Sequence, residues 1–237
     1  MFDQLKKQKK LAFIVGGSGL IGSEVINLLL RNKKMKVINL DIVQRKEKIK
    51  NITNNEFFHR FDCRDKNLKN KTTKLIKKFG TPDIFINCAY PKTRDWKRNS
   101  FKEIQIKSLE ENIKFNLVSS SYLAKLIAEA NVKVKKECSI VFLSSIYGLV
   151  GQDISIYKNT SIKENMTYSI IKGGLINLTK QMASYYSKYN IRINNVCPGG
   201  VLDKTKIKSR KYKNFVKNYS SRCPIKRLAD PKEIARP

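Results

Sequence analysis

Tyr168 and Lys172 are the residues whose types and spacing speak first of chemistry. Four positions apart, they share one face of a helix and stand one turn from each other. A free phenol has a pKa of about 10 and exchanges protons poorly near neutrality. A nearby ammonium favours the phenolate and pulls that value down. Bringing it to about 7 takes roughly 4 kcal/mol of differential interaction. Alone, such a pair is also what a solvated helix surface offers. A glycine loop, Gly16-Gly17-Ser18-Gly19-Leu20-Ile21-Gly22, supplies a second motif to read it with.

The loop stands between an apolar run, Leu11 to Val15, and a helix-periodic segment, Leu20 to Arg31, in which Ile21, Val25, Leu28 and Leu29 recur at helical spacing. Between strand and helix, glycines allow a tight turn and close backbone approach, and the helix N-terminus offers free N–H groups to an anion. Gly16, Ser18, Gly19, Leu20, Ile21 and Gly22 are therefore expected to cradle a dinucleotide pyrophosphate. Asp41 lies nineteen residues beyond Gly22, at the end of a second strand, Lys36 to Leu40. A carboxylate there can accept both ribose hydroxyls and repel a 2′-phosphate, favouring NAD over NADP. Arg45 and Lys46 follow closely and would soften that exclusion. With a dinucleotide nearby, its positive ring would help Lys172 lower the Tyr168 phenol.

The elements that must position these groups alternate along the chain, as in a parallel sheet with helices on both faces. A third strand runs from Phe57 to Phe61, a lysine-rich helix from Lys66 to Phe79 closed by Gly80, and a fourth strand from Asp83 to Ile86. Two helices are expected between Phe101 and Asn131, then a fifth strand, Ser139 to Leu143, running into Ser144-Ser145. A long loop, Ile146 to Asn165, leads to the helix Met166 to Tyr189, and Ile191 to Val196 is a sixth strand ended by Pro198-Gly199-Gly200. The expected fold is a single α/β domain over residues 1–237, a Rossmann-type doubly wound parallel sheet.

Composition bounds the function. The 237 residues can bury a substantial core. No apolar run reaches the roughly 20 residues of a bilayer span, and the start, Met1 to Lys10, is polar and basic; a cytoplasmic protein is expected. Five cysteines (Cys63, Cys88, Cys138, Cys197, Cys223) lack C-x-x-C spacing, which argues for reduced thiols and no zinc site. One histidine, His59, leaves no room for a histidine-based triad or a multi-histidine metal centre. The formal charge of +30 admits nucleic acid as a partner. Against that reading, lysine far exceeds arginine and is spread along the whole chain. The densest groups, Lys6 to Lys10 and Lys204 to Lys217, are short and carry no interleaved aromatic signature.

Taken in order, the glycine loop, Asp62 after the third strand, Asn87-Cys88-Ala89-Tyr90 after the fourth, Asn116 in a helix, Ser145 after the fifth, Tyr168/Lys172, and Pro198-Gly199-Gly200 after the sixth resemble the short-chain dehydrogenase/reductase family over nearly the full chain. The resemblance implies an NAD(P)-dependent oxidoreductase acting on a carbonyl or alcohol. In it Tyr168 is the general acid/base, and Lys172 lowers its pKa and holds the nicotinamide ribose. Ser145 binds the substrate oxygen, preferred over Ser144 because in similar sequences that serine stands three residues before a glycine, here Gly148. Asn116 would support a water chain from Lys172. Asp62 and Cys63 would border adenine; Asn87, Cys88, Ala89, Pro198, Gly199 and Val201 would line the cofactor cleft. The resemblance further implies a homodimer through the Tyr168 helix and the helix around Asn116 to Glu129, or else a tetramer.

The chain departs from the family in three places. Its loop is G-x-x-G-x-x-G rather than the commoner T-G-x-x-x-G-x-G, with Val15 in place of threonine. The spacer from Ser145 to Tyr168 is long, and its Gln152, Tyr157, Lys158 and Asn159 could shape a polar substrate pocket. Asp230 to Ala235 resembles the start of a helix usually followed by a last strand, so the sheet is expected to lack its final edge strand, through truncation or by nature. The loop, the spacer and Cys197-Pro198-Gly199-Gly200-Val201 together look like dehydrogenases of flagellin-modification and surface-polysaccharide pathways. A sugar or sugar phosphate is the substrate this suggests, with a 3-oxoacyl thioester or a generic ketone as the alternative. A catalytically silent dinucleotide-binding regulator is disfavoured because Ser145, Tyr168 and Lys172 are all present.

Overall fold

The structure, a computed structural model, describes residues 9–45, 55–160 and 162–237. Lys46 and most of the Lys6 to Lys10 group lie outside the described residues. Six strands, β1 (Lys10–Val15), β2 (Met35–Asp41), β3 (Glu56–Arg60), β4 (Ile84–Asn87), β5 (Cys138–Leu143) and β6 (Ile191–Val196), form one parallel sheet in the order β3-β2-β1-β4-β5-β6. The chain order reverses between β1 and β4, and in such sheets ligands bind at the carboxyl ends of the strands at that switch. Val15 pairs with Asn87 there, so the glycine loop and the Asn87-Cys88-Ala89-Tyr90 segment leave the sheet side by side.

Alternation along β1 divides the core. Leu11, Phe13 and Val15 face one side with Phe85, Ile140 and Phe142, under helices α2 (Leu68–Phe79), α4 (Ser119–Lys133) and α5 (Met166–Tyr186). Ala12 and Ile14 face the other, under α1 (Leu20–Leu30), with Ala235 of the short helix α7 (Pro231–Ala235) packed against that cluster. On this second face an open groove of about 480 Å³ runs over β4, β5 and β6, lined by Ile84, Ile86, Val141, Leu143 and Val196. Among the described residues β6 is a sheet edge.

Two sequence expectations need correction. The segment expected to hold two helices is one continuous rod: α3 (Ile106–Ile113) passes through a π-helical turn (Lys114–Val118) into α4, and the residues at both joins keep right-handed helical dihedrals. The lysine-rich stretch after β6, read only as a charge cluster, contains the helix α6 (Arg210–Arg222). Its apolar face is aromatic rather than aliphatic: Phe215 stacks with Tyr212 on one side and with Tyr157 of the loop before α5 on another, and meets Tyr219 at a tilt.

Candidate active site

The glycine loop is built for close backbone approach. Gly16 has φ +73, and a Cβ on it would lie 2.6 Å from the Ala89 backbone; a Cβ on Gly22 would lie 2.2 Å from the Gly16 carbonyl oxygen. Only glycine fits at either place, so α1 starts hard against the β4 segment. No side chain caps α1, which leaves its first-turn N–H groups for an anion. Asp41, partly exposed at the end of β2, accepts from the Ser18 N–H at 2.9 Å and from the Ile42 N–H at 2.7 Å. Its carboxylate is thereby fixed at the edge of the loop. Arg45, expected to soften the exclusion of a 2′-phosphate, is turned away: its guanidinium pairs with both Glu56 oxygens at 2.8 and 2.6 Å and donates to Asn27 at 2.5 Å. A nicotinamide dinucleotide therefore fits these residues, with glycine backbone at the pyrophosphate and a carboxylate at the ribose.

Other residues expected at the cleft divide by what their side chains do. Asn87 donates to Ser120 at 2.9 Å and accepts from the Ala89 N–H, holding the β4 segment in shape. Cys88 packs against the α1-side core, and burial pushes its thiol up to about 12. Cys63 is buried in the opposite core cluster, its thiol pushed up by burial to about 11. Asp62 is held below the usual carboxylate range by its hydrogen bonds with Arg64. Pro198 accepts from the Ile146 N–H at 3.1 Å, and Val201 pairs with Ala229 in a parallel bridge that ties down the loop after β6. His59 is not at the site; it stacks edge-on with Phe79.

The residues expected to react converge at the carboxyl end of β5 and the start of α5. Asn165 caps α5 by accepting from the Tyr168 N–H at 2.8 Å, and buried Thr167 donates to Asn99 at 2.6 Å. A Cβ on Gly148 would meet the Lys172 backbone at 2.6 Å, so the turn carrying Ser145 packs directly on α5. The two serines part company here. Ser144 donates to the Lys172 carbonyl at 2.8 Å, whereas the Ser145 hydroxyl accepts from the Tyr147 N–H at 3.2 Å and stands beside the Tyr168 phenol, close enough to lower its pKa. Lys172, only 6% exposed, donates to the Leu143 carbonyl at 2.6 Å and lies 5.4 Å from the centre of the Tyr168 ring.

The protonation states differ from the simple expectation of a phenol drawn down by a lysine. Burial raises Tyr168, the neighbouring Ser145 hydroxyl lowers it, and the raised direction wins. Burial also lowers Lys172 to about 8. The same dry pocket disfavours both charged forms, and the ammonium is spent on Leu143 rather than on the phenol oxygen. Without a cofactor the resting pair is a neutral phenol beside a weakly held ammonium.

Asn116 sits on the π-helical turn. Its amide donates to the carbonyls of Pro91 at 2.9 Å and Asn112 at 3.0 Å, while its oxygen is buried without a partner among the described residues. Asn116 and Lys172 line one small cavity with Asn87, Tyr90 and Ser120. Its volume, about 10 Å³, is near that of a single water site.

The loop from Ile146 to Asn165 is less free than its length suggests. Gln152 donates to Asn165 and Ser169 and accepts from Tyr157 and the Asn165 N–H, so it staples the loop instead of offering a free amide. Lys158 and Asn159 are exposed and are tied through their carbonyls to Asn218 and Asn214 of α6. Of the expected loop residues Tyr157 does lie with polar groups near Tyr168, but its neighbours there, Tyr147 and Tyr219, were not singled out from the sequence; the three phenols lie close enough to perturb one another. The i, i+3, i+7 spacing of Tyr212, Phe215 and Tyr219 was the signal for that wall. Tyr90 was quoted with its motif but given no role, and Trp96 was missed; their rings meet edge-on at 5.3 Å, and Tyr90 meets Tyr168 at 5.5 Å.

With this geometry in view, the chain belongs to the short-chain dehydrogenase/reductase family, an oxidoreductase family: the family model described as enoyl-(acyl carrier protein) reductase matches residues 21–237. Among curated relatives it is similar to post-translational flagellin modification protein A of Campylobacter coli, 28% identical, with 96% of this chain and 88% of that protein covered. Among solved structures it is similar to a short chain dehydrogenase from Leptospira borgpetersenii with bound NAD+, at 29% identity and a TM-score of 0.82, covering 97% of this chain and 84% of the other. It also resembles ElxO with NADP bound, at 26% identity and a TM-score of 0.80, covering 96% and 89%. No helix among the described residues is long and apolar enough to cross a membrane.

Proposed function

We propose that the protein is an NAD-preferring dehydrogenase or reductase in which Tyr168, Ser145 and Lys172 carry the proton chemistry, and that its substrate is a sugar or sugar phosphate. The observation that carries the catalytic reading is the convergence of Ser145, Tyr168 and Lys172 at the carboxyl ends of the strands, with the Lys172 ammonium 5.4 Å from the Tyr168 ring and the Ser145 hydroxyl acting on the phenol. When bound, the nicotinamide supplies or accepts the hydride. Tyr168 gives its phenolic proton to the substrate oxygen in reduction and takes it back in oxidation. Ser145 donates to the same oxygen, stabilising charge that develops there. Lys172 turns from Leu143 toward the ribose and the phenol, and the positive charge it brings favours the phenolate. Asn116, lining the same cavity, supports the path by which the proton is replaced.

The preference for NAD rests on Asp41 beside the glycine loop and on the engagement of Arg45 by Glu56. For the substrate, the phenols of Tyr147, Tyr157 and Tyr219 near Tyr168 offer donors and acceptors to a polyhydroxylated ligand. The similarity to a flagellin modification protein supports the same reading. An acyl thioester is the second reading, favoured by exposed apolar side chains at Leu149, Val150 and Ile154 in the loop before α5. Reduced thiols, with all five cysteines free, suit work in the cytoplasm. Purified protein, screened with NAD(H) and NADP(H) against nucleotide sugars, sugar phosphates and acyl thioesters, tests the proposal. Turnover of a sugar substrate with NAD(H) supports it; turnover of acyl thioesters alone replaces the substrate assignment.

A further inference from the structure

The Lys172 ammonium lies between two aromatic rings, and only one of them belongs to the tyrosine–lysine pair. Its Nζ is 4.7 Å from the centre of the Tyr90 ring, nearer than the 5.4 Å to Tyr168. Both distances fall within the range in which a ring face attracts a cation. The titratable groups that face the ammonium are Tyr168 from α5, Tyr90 and Cys88 from the segment after β4, and Cys197 from the end of β6; among the described residues none is a carboxylate. One carbonyl, that of Leu143, accepts from it. A buried ammonium has three donors to satisfy, so the ring face at Tyr90 is a large part of what remains.

Tyr90 is fixed from both sides. Trp96 meets its ring edge-on at 5.3 Å. The backbone just beyond is pinned by Asn116, which donates to the Pro91 carbonyl at 2.9 Å, and by Asn112, which accepts from the Thr93 N–H and donates to the Thr93 hydroxyl. The Tyr90 hydroxyl is buried with no partner among the described residues, so it is not what anchors the side chain. The contact that matters is the ring. We propose that Tyr90 is a positioning residue for Lys172: its ring face, held by Trp96 and the Asn116-pinned loop, keeps the lysine charged and aimed between Leu143 and Tyr168. This rests on the reading of Tyr168 and Lys172 as the working pair.

Removing the ring removes an interaction made only with the charged form, so the Lys172 pKa must fall further below its present value. A desolvated cation–π contact corresponds to a drop of roughly one pH unit. The titration is read directly, without cofactor or substrate, by NMR of protein carrying lysine labelled at Cε and Nζ. Lys172 is identified as the resonance lost in Lys172→Met, and burial is expected to bring its midpoint down to about 8. Tyr90→Leu is expected to lower that midpoint by roughly one pH unit, and Tyr90→Phe, which keeps the face and loses only the unpartnered hydroxyl, to leave it where the wild type has it. If the leucine variant does not fold, Tyr90→Met is read in the same way. An unmoved midpoint in the aliphatic variant, or an equal shift in Tyr90→Phe, overturns the proposal. Either result leaves the proton-transfer role of Tyr168 standing, since that is measured separately by turnover.

Discussion

Lys172 should make the cofactor-free protein less stable than it would be without the charge. Its folded-state pKa is lowered from 10.5 to about 8, which at about 1.36 kcal/mol per pH unit is about 3 kcal/mol. Below pH 8 the lysine is charged in both folded and unfolded chains, and the folded state carries the whole cost. Between 8 and 10.5 the folded protein releases the proton while the unfolded chain keeps it, so wild-type stability rises with pH. Above 10.5 both are neutral and the cost is gone. Lys172→Met removes the charge with similar volume but leaves the Leu143 carbonyl without its donor, a loss of about 1 kcal/mol. The variant should therefore exceed the wild type by about 2 kcal/mol at pH 7, and as pH rises from 8 to 10.5 the gap should close and then reverse, leaving the wild type ahead by about 1 kcal/mol. Urea denaturation of both proteins at pH 7 and at a series of higher values measures it, and taking the difference cancels every other titrating group. Equal stability at pH 7, or a gap that does not change with pH, would refute the reasoning.

Two further outcomes follow from named contacts. Asp41→Ala should narrow the preference for NAD+ over NADP+, and it should also weaken NAD+ itself, because the Ser18 N–H loses its acceptor; calorimetric titration with both dinucleotides reads the two effects, and an unchanged ratio of affinities would remove Asp41 from cofactor choice. A homodimer is expected through the outer faces of α4 and α5, where Tyr122, Ile170 and Tyr185 are exposed, with Val118 at the adjoining π-helical turn. Light scattering at about 0.5 M salt, where repulsion between chains of charge +30 is screened more tightly than the roughly 10 Å of 0.1 M, tests it, and a strict monomer at high protein concentration would exclude it.

Much of the fold could be read from the sequence because the strands are short apolar runs with sharp ends. Leu11 to Val15, Ile84 to Ile86 and Ile140 to Leu143 have few other places to go in a chain this rich in lysine. The glycine loop was legible because Gly16 and Gly22 are required by contact with backbone, a constraint that shows in residue type. Helix α6 was hidden because its packing face is three aromatic rings among charged residues, which lowers its apolar count. The expectation of a dimer through the outer face of the Tyr168 helix did not say which residues form that face: Ile171, Leu175 and Met182 are buried in the core, and Ile170 and Tyr185 are exposed. At the site, Tyr168, Lys172 and Ser145 were legible as types at a spacing. What could not be read was environment: that Lys172 would be drawn to Leu143, that Tyr168 would be raised rather than lowered, and that Tyr90 would stand nearer the ammonium than Tyr168 does.

The most direct test of the central claim is Tyr168→Phe, assayed for turnover with the substrate found by screening and for NADH binding by nicotinamide fluorescence. The phenylalanine keeps the ring that packs on Tyr90 and loses only the phenolic oxygen. Turnover should fall by about 10²-fold to 10⁴-fold, the range of a lost general acid/base, while NADH binding persists. Full activity in Tyr168→Phe would contradict the account.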